Sequence, residues 1–189
     1  IIGDGIGVLS ALIKFVFPNS TIVVVDLGKT LLYQAYYIRK AHPGVSHRLA
    51  VDVDELDNLD FVYCPAERLD AIDIFRFDLA ANINSMQEMD PATVARYFTF
   101  LRSHLNPDNL FYCCNRLHRE MVGGEKSEFL NYPWQPQDRH IVDEPCPWQR
   151  YFLASSAAAR GPKILNQRVP FVSYFDGPVH HRLSALATN

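Results

Sequence analysis

The sequence predicts an α/β fold, in which a doubly wound, mostly parallel sheet carries helices on both faces. Short apolar stretches rich in β-branched residues alternate with helix-compatible stretches, which is the pattern of parallel strands joined by helical crossovers. The chain also opens with "IIGDGIG", a glycine-rich turn between an apolar pair and a helix. Because 189 residues fit one domain, we expect residues 1–189 to form a single domain.

The first elements follow the order turn, helix, strand, helix. Residues 8–17 are apolar and helix-compatible, and Pro18 ends this helix. The run "STIVVVDLG" predicts a buried parallel strand with Asp26 at its carboxyl end. Residues 29–41 predict a second helix whose apolar stripe contains Leu32, Ala35 and Tyr36.

Further strands and one strong helix follow. "FVYC" predicts a strand closed by Pro65, and "FDLAAN" predicts the next, which ends at Asn82. A third helix is indicated by Asp90 as N-cap and Pro91 in the first turn. Its apolar positions fall on one face: Val94, Tyr97, Phe98, Leu101 and Leu105. "NLFYCCNRL" predicts another strand, and strand character returns near "PWQRYFLAS" and "RVPFVSYF".

The composition narrows the function classes. The chain is 48% hydrophobic and 21% charged, and it has no apolar run of about 18 residues, so it predicts a globular protein without a membrane span. The net charge of −3 gives no electrostatic case for nucleic acid. The four cysteines show no C-x-x-C spacing, and we interpret them as reduced and buried, as expected in the cytoplasm. The chain begins inside the expected first strand, so we expect it to be a piece of a longer protein.

The opening turn suits a cofactor cradle. Gly3, Gly5 and Gly7 allow positive φ angles and close approach of a ligand, and the following helix is expected to aim its N–H groups at that ligand. The pattern is G-x-G-x-G; Val8 takes the position that a dinucleotide fingerprint gives to its third glycine. Asp26, about 20 residues further on, is expected to accept hydrogen bonds from an adenosine ribose. The alternatives are a purely structural turn and a helix-start acid.

A polar loop follows the fourth strand at the edge where α/β proteins bind ligands. The segments "GDGIG", "VVVDLG", "FDLAANINSMQEM" and "NLFYCCNRLHRE", in this order, resemble class I S-adenosylmethionine-dependent methyltransferases. They resemble in particular the sugar O-methyltransferase family, whose members carry an Asn-x-x-Ser-Met-x-Glu-Met run. The resemblance covers about residues 1–120 and implies a seven-stranded Rossmann-like methyltransferase sheet.

The resemblance also implies S-adenosylmethionine as the cofactor and assigns roles to residues. The methionine half is expected near Gly3, Asp4, Gly5 and Gly7. The ribose and the adenine edge are expected at Asp26 and Leu27, and the flanks of the adenine at Cys64, Pro65 and Ala66. The donor methyl is expected beside Asn82, and the loop residue Ser85 is also assigned to cofactor binding. One departure is Ile1, which stands where such families often have an acid.

Methyl transfer to a hydroxyl needs a proton acceptor. Glu88 and His118 are the candidates; the alternatives are a helix-start acid and a surface histidine. We expect no metal site, because the acidic run 52–57 and the pair His180 and His181 match no ligand set. The aromatic residues between 132 and 151 either cover the sheet edge or form a lid that binds a sugar.

The favoured function is an O-methyltransferase that acts on a hydroxyl of a sugar or glycosylated small molecule. An NAD(P)-dependent oxidoreductase or epimerase is the first alternative, and Val8 counts against it. A catalytically inactive scaffold that binds a partner is the second, and Ile1 favours it.

Overall fold

The computed structural model describes residues 1–53, 55, 58–120, 124–149 and 178–187, and the backbone of residues 163–164 and 167–168. The helices are α1 (Val8–Val16), α2 (Gly28–Ala41) and α3 (Pro91–His104). In the described part of the chain, none of the helices is both long and apolar enough to cross a membrane.

Eleven strands lie among these described residues. They are β1 (Ile22–Asp26), β2 (His47–Leu49), β3 (Phe61–Pro65), β4 (Phe77–Ile83), β5 (Leu105–Arg116), β6 (His118–Glu120), β7 (Lys126–Glu128), β8 (Arg139–Pro145), β9 (Lys163–Ile164), β10 (Gln167–Arg168) and β11 (Val179–Ala185). Short 3₁₀ turns occupy Ala50–Asp52, Ala66–Ile72, Met86–Glu88 and Phe129–Asn131.

Seven of these strands form a parallel ladder and a mixed ladder, and the pairs β6–β7 and β9–β10 form two-stranded antiparallel ladders. The first has the order β1-β3-β2, and the second has the order β4-β5-β11-β8. The pair β4 and β5 is parallel, whereas β11 is antiparallel to β5 and to β8. The α/β class is thus confirmed, but the described sheet is mixed and is not clearly the seven-stranded, mostly parallel one that the sequence predicts.

Residues 1–3 connect the two ladders. Ile2 forms parallel bridges with Val25 of β1 and with Asn82 of β4. Its N–H donates to the Ala81 carbonyl at 2.9 Å, and the Gly3 N–H donates to the Val25 carbonyl at 2.8 Å. The glycine turn therefore begins where the carboxyl ends of β1 and β4 lie side by side.

Apolar side chains fill both faces of β1, as expected for a doubly wound sheet. Val23 and Val25 belong to one core cluster, which also contains the predicted face of α3. Ile22 and Val24 belong to a second cluster, which contains Ala11 of α1 and the buried apolar residues of α2. Helices therefore cover opposite faces of the sheet.

Helix α3 matches its prediction closely. The Asp90 carboxylate accepts a hydrogen bond from the Thr93 N–H at 2.8 Å, and Pro91 is the first helical residue. The five apolar positions predicted for its face are all buried. This agreement follows from a strong cap and a regular apolar period, both of which are local signals.

Helix α2 has the predicted bounds to within one residue, but its predicted face is wrong. Leu32 and Tyr36 are exposed to 73% and 69%, and the buried residues are Leu31, Gln34 and Ile38. The buried stripe includes a glutamine, and for that reason a search for apolar periodicity selects the neighbouring stripe. This rotation brings Gln34 under the glycine turn.

The C-terminal half differs from the sequence interpretation. Strands β8 and β11 were not predicted from the sequence. The strand expected near 147–155 is wrong in its described part, because residues 147–149 are helical, and its remainder lies outside the described residues. Of the strand expected near 168–175, the structure describes Arg168, which is the last residue of β10. Tyr132 and Trp134 pack into the core, with the Trp134 ring 4.8 Å from that of Phe98. These two aromatic residues cover the sheet, as the first of the two alternatives expected, whereas Trp148 is exposed. Tyr151 lies outside the described residues.

Candidate functional site

A cleft of about 630 Å³ lies at the carboxyl ends of β1 and β4. Seven predicted site residues line it: Gly3, Asp4, Gly5, Asp26, Leu27, Ser85 and Glu88. Six further lining residues were not predicted from the sequence: Val8, Leu9, Leu12, Thr30, Ile83 and Asn84. Their only sequence signal is their position directly after the glycine turn or beside a strand end. Gly7, Cys64, Pro65, Ala66, Asn82 and His118 are not among the lining residues.

The three glycines of the turn have three different environments, although all have positive φ angles of 71°, 61° and 90°. A Cβ on Gly3 would lie 2.1 Å from Ser85 Oγ, and a Cβ on Gly7 would lie 3.2 Å from the Gln34 Cα. A Cβ on Gly5 would meet no atom within 4 Å. Gly3 and Gly7 are thus required by packing within the protein, and Gly5 alone leaves open space on the cleft.

Asp4 precedes α1 in the glycine turn, and its carboxylate reaches the N-terminus of this helix. Its carboxylate accepts hydrogen bonds from the N–H groups of Leu9 at 3.0 Å and Ser10 at 2.9 Å, and also from the Ser10 hydroxyl. This bonding changes the sequence expectation, because two N–H groups that were expected to face a ligand are bound to a carboxylate of the protein. A negative group is also well placed at a helix N-terminus.

The Asp26 carboxylate is held from two sides. Its Oδ1 accepts the Leu27 N–H at 2.8 Å, and its Oδ2 accepts the side-chain amide of Gln34 at 2.6 Å. The same Gln34 nitrogen donates to the Gly5 carbonyl at 3.1 Å. Each carboxylate oxygen keeps an unused lone pair for hydroxyl donors in the cleft, since an ionised carboxylate accepts about four hydrogen bonds.

Asn82 organises the loop after β4 from below. It is fully buried, and its amide nitrogen donates to the Ile2 carbonyl at 2.9 Å and to Ser85 Oγ. Its Oδ1 accepts the Asn115 amide at 2.8 Å and the Met86 N–H at 3.3 Å. Asn82 is buried and is not among the lining residues, so it lies beneath the cleft surface, where its bond to Ser85 Oγ positions that residue.

The two base candidates are not brought together. Glu88 lines the cleft and bonds to Arg119 of β6 at 2.5 Å. Successive side chains of a strand point to opposite faces, so His118 points away from the side that Arg119 uses to reach Glu88. His118 is exposed and lies 3.5 Å from Glu128 of β7. Of the two residues, only Glu88 faces the cleft.

The last two residues of β3, Cys64 and Pro65, and Ala66 after them lie at the same sheet edge but are not in the cleft lining. Pro65 pairs with Asp26 in the β1–β3 register. Cys64 is fully buried, and burial raises the pKa of its thiol to about 12. Its Sγ donates to the Arg68 carbonyl at 3.1 Å, and Pro65 and Ala66 are half-buried.

The titratable side chains that line the cleft are all acidic. Asp4, Asp26 and Glu88 line it, and the described lining residues include no lysine, arginine or histidine. Arg119 is not among the lining residues, but its guanidinium bonds to the Glu88 carboxylate. The site is therefore suited to a ligand with positive charge and hydroxyl donors.

No metal centre is evident in the described ranges. Among those residues, no group of three or more His, Cys, Asp and Glu side chains is close enough together to hold a metal ion. Asp54 and Asp57 of the acidic run lie outside the described residues. His180 bonds to Asp143 at 2.7 Å.

Comparisons with known proteins identify the fold. No family model and no curated protein matches the chain. Among solved structures, 98% of the chain matches the mitomycin 7-O-methyltransferase MmcR, with 14% identity and a TM-score of 0.58. Over 98% of its length the chain matches an S-adenosylmethionine-dependent methyltransferase from Clostridium acetobutylicum ATCC 824, with 12% identity and a TM-score of 0.52. Over 97% of its length it matches another from Mesorhizobium loti, with 14% identity and a TM-score of 0.51.

The match covers 48% of the mitomycin enzyme, 82% of the Clostridium protein and 88% of the Mesorhizobium protein. The chain thus spans about half of the first of these structures. At these identities the similarity shows the fold, which is the α/β fold of class I methyltransferases.

Proposed function

We propose that this chain is a methyltransferase domain that uses S-adenosylmethionine and transfers its methyl group to a hydroxyl of a sugar or glycosylated small molecule. The observation that carries the proposal is the acidic cleft, in which Asp4, Asp26 and Glu88 face no cationic lining residue among those described. S-adenosylmethionine has a sulfonium, an ammonium and one carboxylate, so its net charge is positive. Complementary charge favours its binding.

The position of Asp4 supports this cofactor over NAD(P), the first alternative. A dinucleotide places its pyrophosphate at the N-terminus of the helix after the glycine turn. In this chain the Asp4 carboxylate accepts the N–H groups of Leu9 and Ser10 at that point. A pyrophosphate would have to displace a carboxylate of the same charge.

The residues present fit the cofactor. Asp26 would accept the ribose hydroxyls, Leu27 would contact the adenine, and the open space at Gly5 would receive the methionine half. The segment of Cys64, Pro65 and Ala66 stays our proposal for the outer side of the adenine, because Pro65 pairs with Asp26. When bound, the cofactor supplies a methyl carbon that is electrophilic because it is attached to a sulfonium.

The acceptor hydroxyl must lose a proton, and we propose Glu88 as the base. It is the cleft carboxylate on the loop after β4, and Arg119 fixes its orientation through the contact at 2.5 Å. A positioned base contributes about 10²–10⁴-fold to such a step. The similar mitomycin enzyme is an O-methyltransferase by name, which favours an oxygen acceptor here as well. The sugar acceptor rests on the Ser-Met-x-Glu-Met run alone.

One observation favours the second alternative, an inactive scaffold. Ile1 stands at the position of the usual acid, and its side chain packs against the core cluster of α1 and α2. The methionine ammonium would then need another acceptor, for which Asp4 is the nearest carboxylate in the sequence. A scaffold would lack measurable cofactor affinity.

We also propose the finer architecture and setting. The hydrogen bonds of residues 1–3 to both ladders support one continuous methyltransferase sheet within a single domain of residues 1–189. All four cysteines are free and buried, which supports a reducing compartment such as the cytoplasm.

Titration calorimetry on the full-length protein tests the proposal. We expect S-adenosylhomocysteine to bind and NAD not to bind. Asp26→Asn should weaken S-adenosylhomocysteine by about 10- to 150-fold, the loss of one charge-assisted hydrogen bond. Asp78→Asn is the matched control, since Asp78 is an exposed aspartate near the opposite end of β4.

NAD binding alone would refute the methyltransferase proposal. Absence of binding by both ligands would favour the scaffold. Equal affinity of the Asp26→Asn and Asp78→Asn proteins would show that Asp26 does not contact the ribose.

A further inference from the structure

Gln34 is a buried polar residue that connects two walls of the cleft without lining it. It lies in the middle of α2 and is fully buried. Its amide nitrogen donates to Asp26 Oδ2 at 2.6 Å and to the Gly5 carbonyl at 3.1 Å. One side chain therefore fixes the distance between the strand-end carboxylate and the glycine turn.

The backbone of Gln34 also determines the path of the turn. Its Cα would lie 3.2 Å from a Cβ on Gly7, so α2 packs directly against the end of the turn. The position of the donor amide relative to Gly5 thus depends on a close helix contact and not on a flexible side chain alone. Such packing makes the arrangement rigid.

The orientation of the amide is determined by its neighbours. Its nitrogen faces two acceptors, whereas its Oε1 is buried and has no hydrogen-bond partner within the described part of the chain. Turning the amide over would place Oε1 against the Asp26 carboxylate and the Gly5 carbonyl, which both repel it. A buried acceptor without a partner costs free energy that a leucine in this place would avoid. The two hydrogen bonds that the Gln34 amide donates offset this cost.

Asp26 needs such a support to meet two hydroxyls at once. The Leu27 N–H holds Oδ1, and only the Gln34 amide holds Oδ2 among the hydrogen bonds that the described residues make to this carboxylate. With both oxygens held, the carboxylate plane has one orientation. A carboxylate held at one oxygen can rotate about the bond that carries it.

We infer that Gln34 is a positioning residue that sets the orientation of Asp26 against the glycine turn, and thereby the selectivity of the cleft for a ribose with both hydroxyls. This inference rests on the proposed function. Gln34 would act through Asp26 and Gly5 and would not touch the ligand.

The test compares two ligands in three proteins. Calorimetry measures the affinity of S-adenosylhomocysteine and of its 2′-deoxyribose counterpart for the unmodified full-length protein, Gln34→Met and Ile38→Val. Ile38 is buried one helical turn further along α2 and contacts the turn at Gly7, so Ile38→Val is a control for general loosening of this packing. Gln34→Leu is the second variant if Gln34→Met does not fold.

We expect the unmodified protein and Ile38→Val to prefer the ribose ligand by about tenfold or more, the effect of one hydrogen bond to a charged group. In Gln34→Met the affinity for the ribose ligand should fall by a similar factor and the affinity for the deoxyribose ligand should not, so the preference disappears. An undiminished preference in Gln34→Met would overturn the inference. An equal loss for both ligands would also overturn it, because it would mean that Gln34 only maintains the fold.

Crystal structures without ligand supply an independent result. In Gln34→Met the Asp26 carboxylate should turn away from its original plane, and in Ile38→Val it should not. An unchanged carboxylate would contradict the inference whether or not any ligand binds. Failure of the unmodified protein to bind S-adenosylhomocysteine would instead count against the proposed function.

Discussion

Replacing Gly3 by alanine should destabilise the protein through a contact with a residue more than eighty positions away. The new Cβ would lie 2.1 Å from Ser85 Oγ and 2.3 Å from Ser85 Cβ. Both distances are far shorter than a van der Waals contact, so the backbone or the Ser85 side chain would have to shift. The φ angle of +71° adds strain of about 1–2 kcal/mol for a residue with a Cβ. Overpacking adds about 1–3 kcal/mol. The free energy of unfolding should therefore fall by about 2–5 kcal/mol.

A second single variant, Ser85→Gly, removes the side chain that a Cβ on Gly3 would meet, and it forms a double-mutant cycle with Gly3→Ala. Ser85→Gly leaves only the backbone Cα, 3.9 Å from the new Cβ, which is an ordinary contact. Alone it loses two hydrogen bonds, one to the Ile2 carbonyl and one from Asn82, at a cost of about 1–3 kcal/mol. The double variant should be more stable than the sum of the two single changes predicts, by about the overpacking energy of 1–3 kcal/mol.

Urea denaturation of the unmodified protein, the two single variants and the double variant measures this coupling. Gly5→Ala combined with Ser85→Gly is the matched control; its effects should add, since nothing lies within 4 Å of a Cβ on Gly5. If the Gly3 and Ser85 effects also add to within about 0.5 kcal/mol, the two residues are not in contact and the described turn is wrong.

Three other changes give distinct outcomes. Gly5→Ala should cost only the strain of about 1–2 kcal/mol in urea denaturation but should weaken S-adenosylhomocysteine in calorimetry, and unchanged affinity would exclude Gly5 from the binding surface. Glu88→Gln should lower kcat for methyl transfer, measured at saturating cofactor, by about 10²–10⁴-fold, and an unchanged kcat would remove Glu88 as the base. Asp138 is buried against Arg102 at 2.6 Å and 2.8 Å, and Asp138→Asn should lower the free energy of unfolding by about 3–5 kcal/mol. Burial raises the pKa of Asp138, but the hydrogen bonds from Arg102 and two backbone N–H groups lower this pKa by a larger amount, so the net shift is downward. Its contribution to stability is therefore present at neutral pH and is lost as the pH falls through this lowered pKa, and denaturation below about pH 5 should depend less on pH in Asp138→Asn.

Local signals in the sequence predict the elements that build the site. The Asp90 cap and the apolar period of α3 are sufficient to place that helix, and a β-branched run that ends in an acid is sufficient to place Asp26 at a strand end. Such features depend on a few neighbouring residues. They survive in the folded chain because burial of α3 and β1 agrees with the local pattern.

The roles of individual residues could not be predicted in the same way, because they depend on partners that are distant in sequence. Gly3 lacks a side chain because of Ser85, and Asn82 holds the loop from below because it bonds to Ile2 and Asn115. The buried face of α2 was missed because Gln34 is polar, and hydrophobic periodicity cannot detect a glutamine that is buried for its hydrogen bonds.

Amide hydrogen exchange of the full-length protein with and without S-adenosylhomocysteine tests most directly whether the acidic cleft is the cofactor site. We predict slower exchange in residues 3–12, 26–30 and 83–88, which contain the cleft lining. Residues 126–133, which line a separate cleft of about 320 Å³ near the start of α3, should keep their rates. Protection confined to residues 126–133, or no change in residues 3–12 at saturating ligand, would contradict the assignment of the cleft.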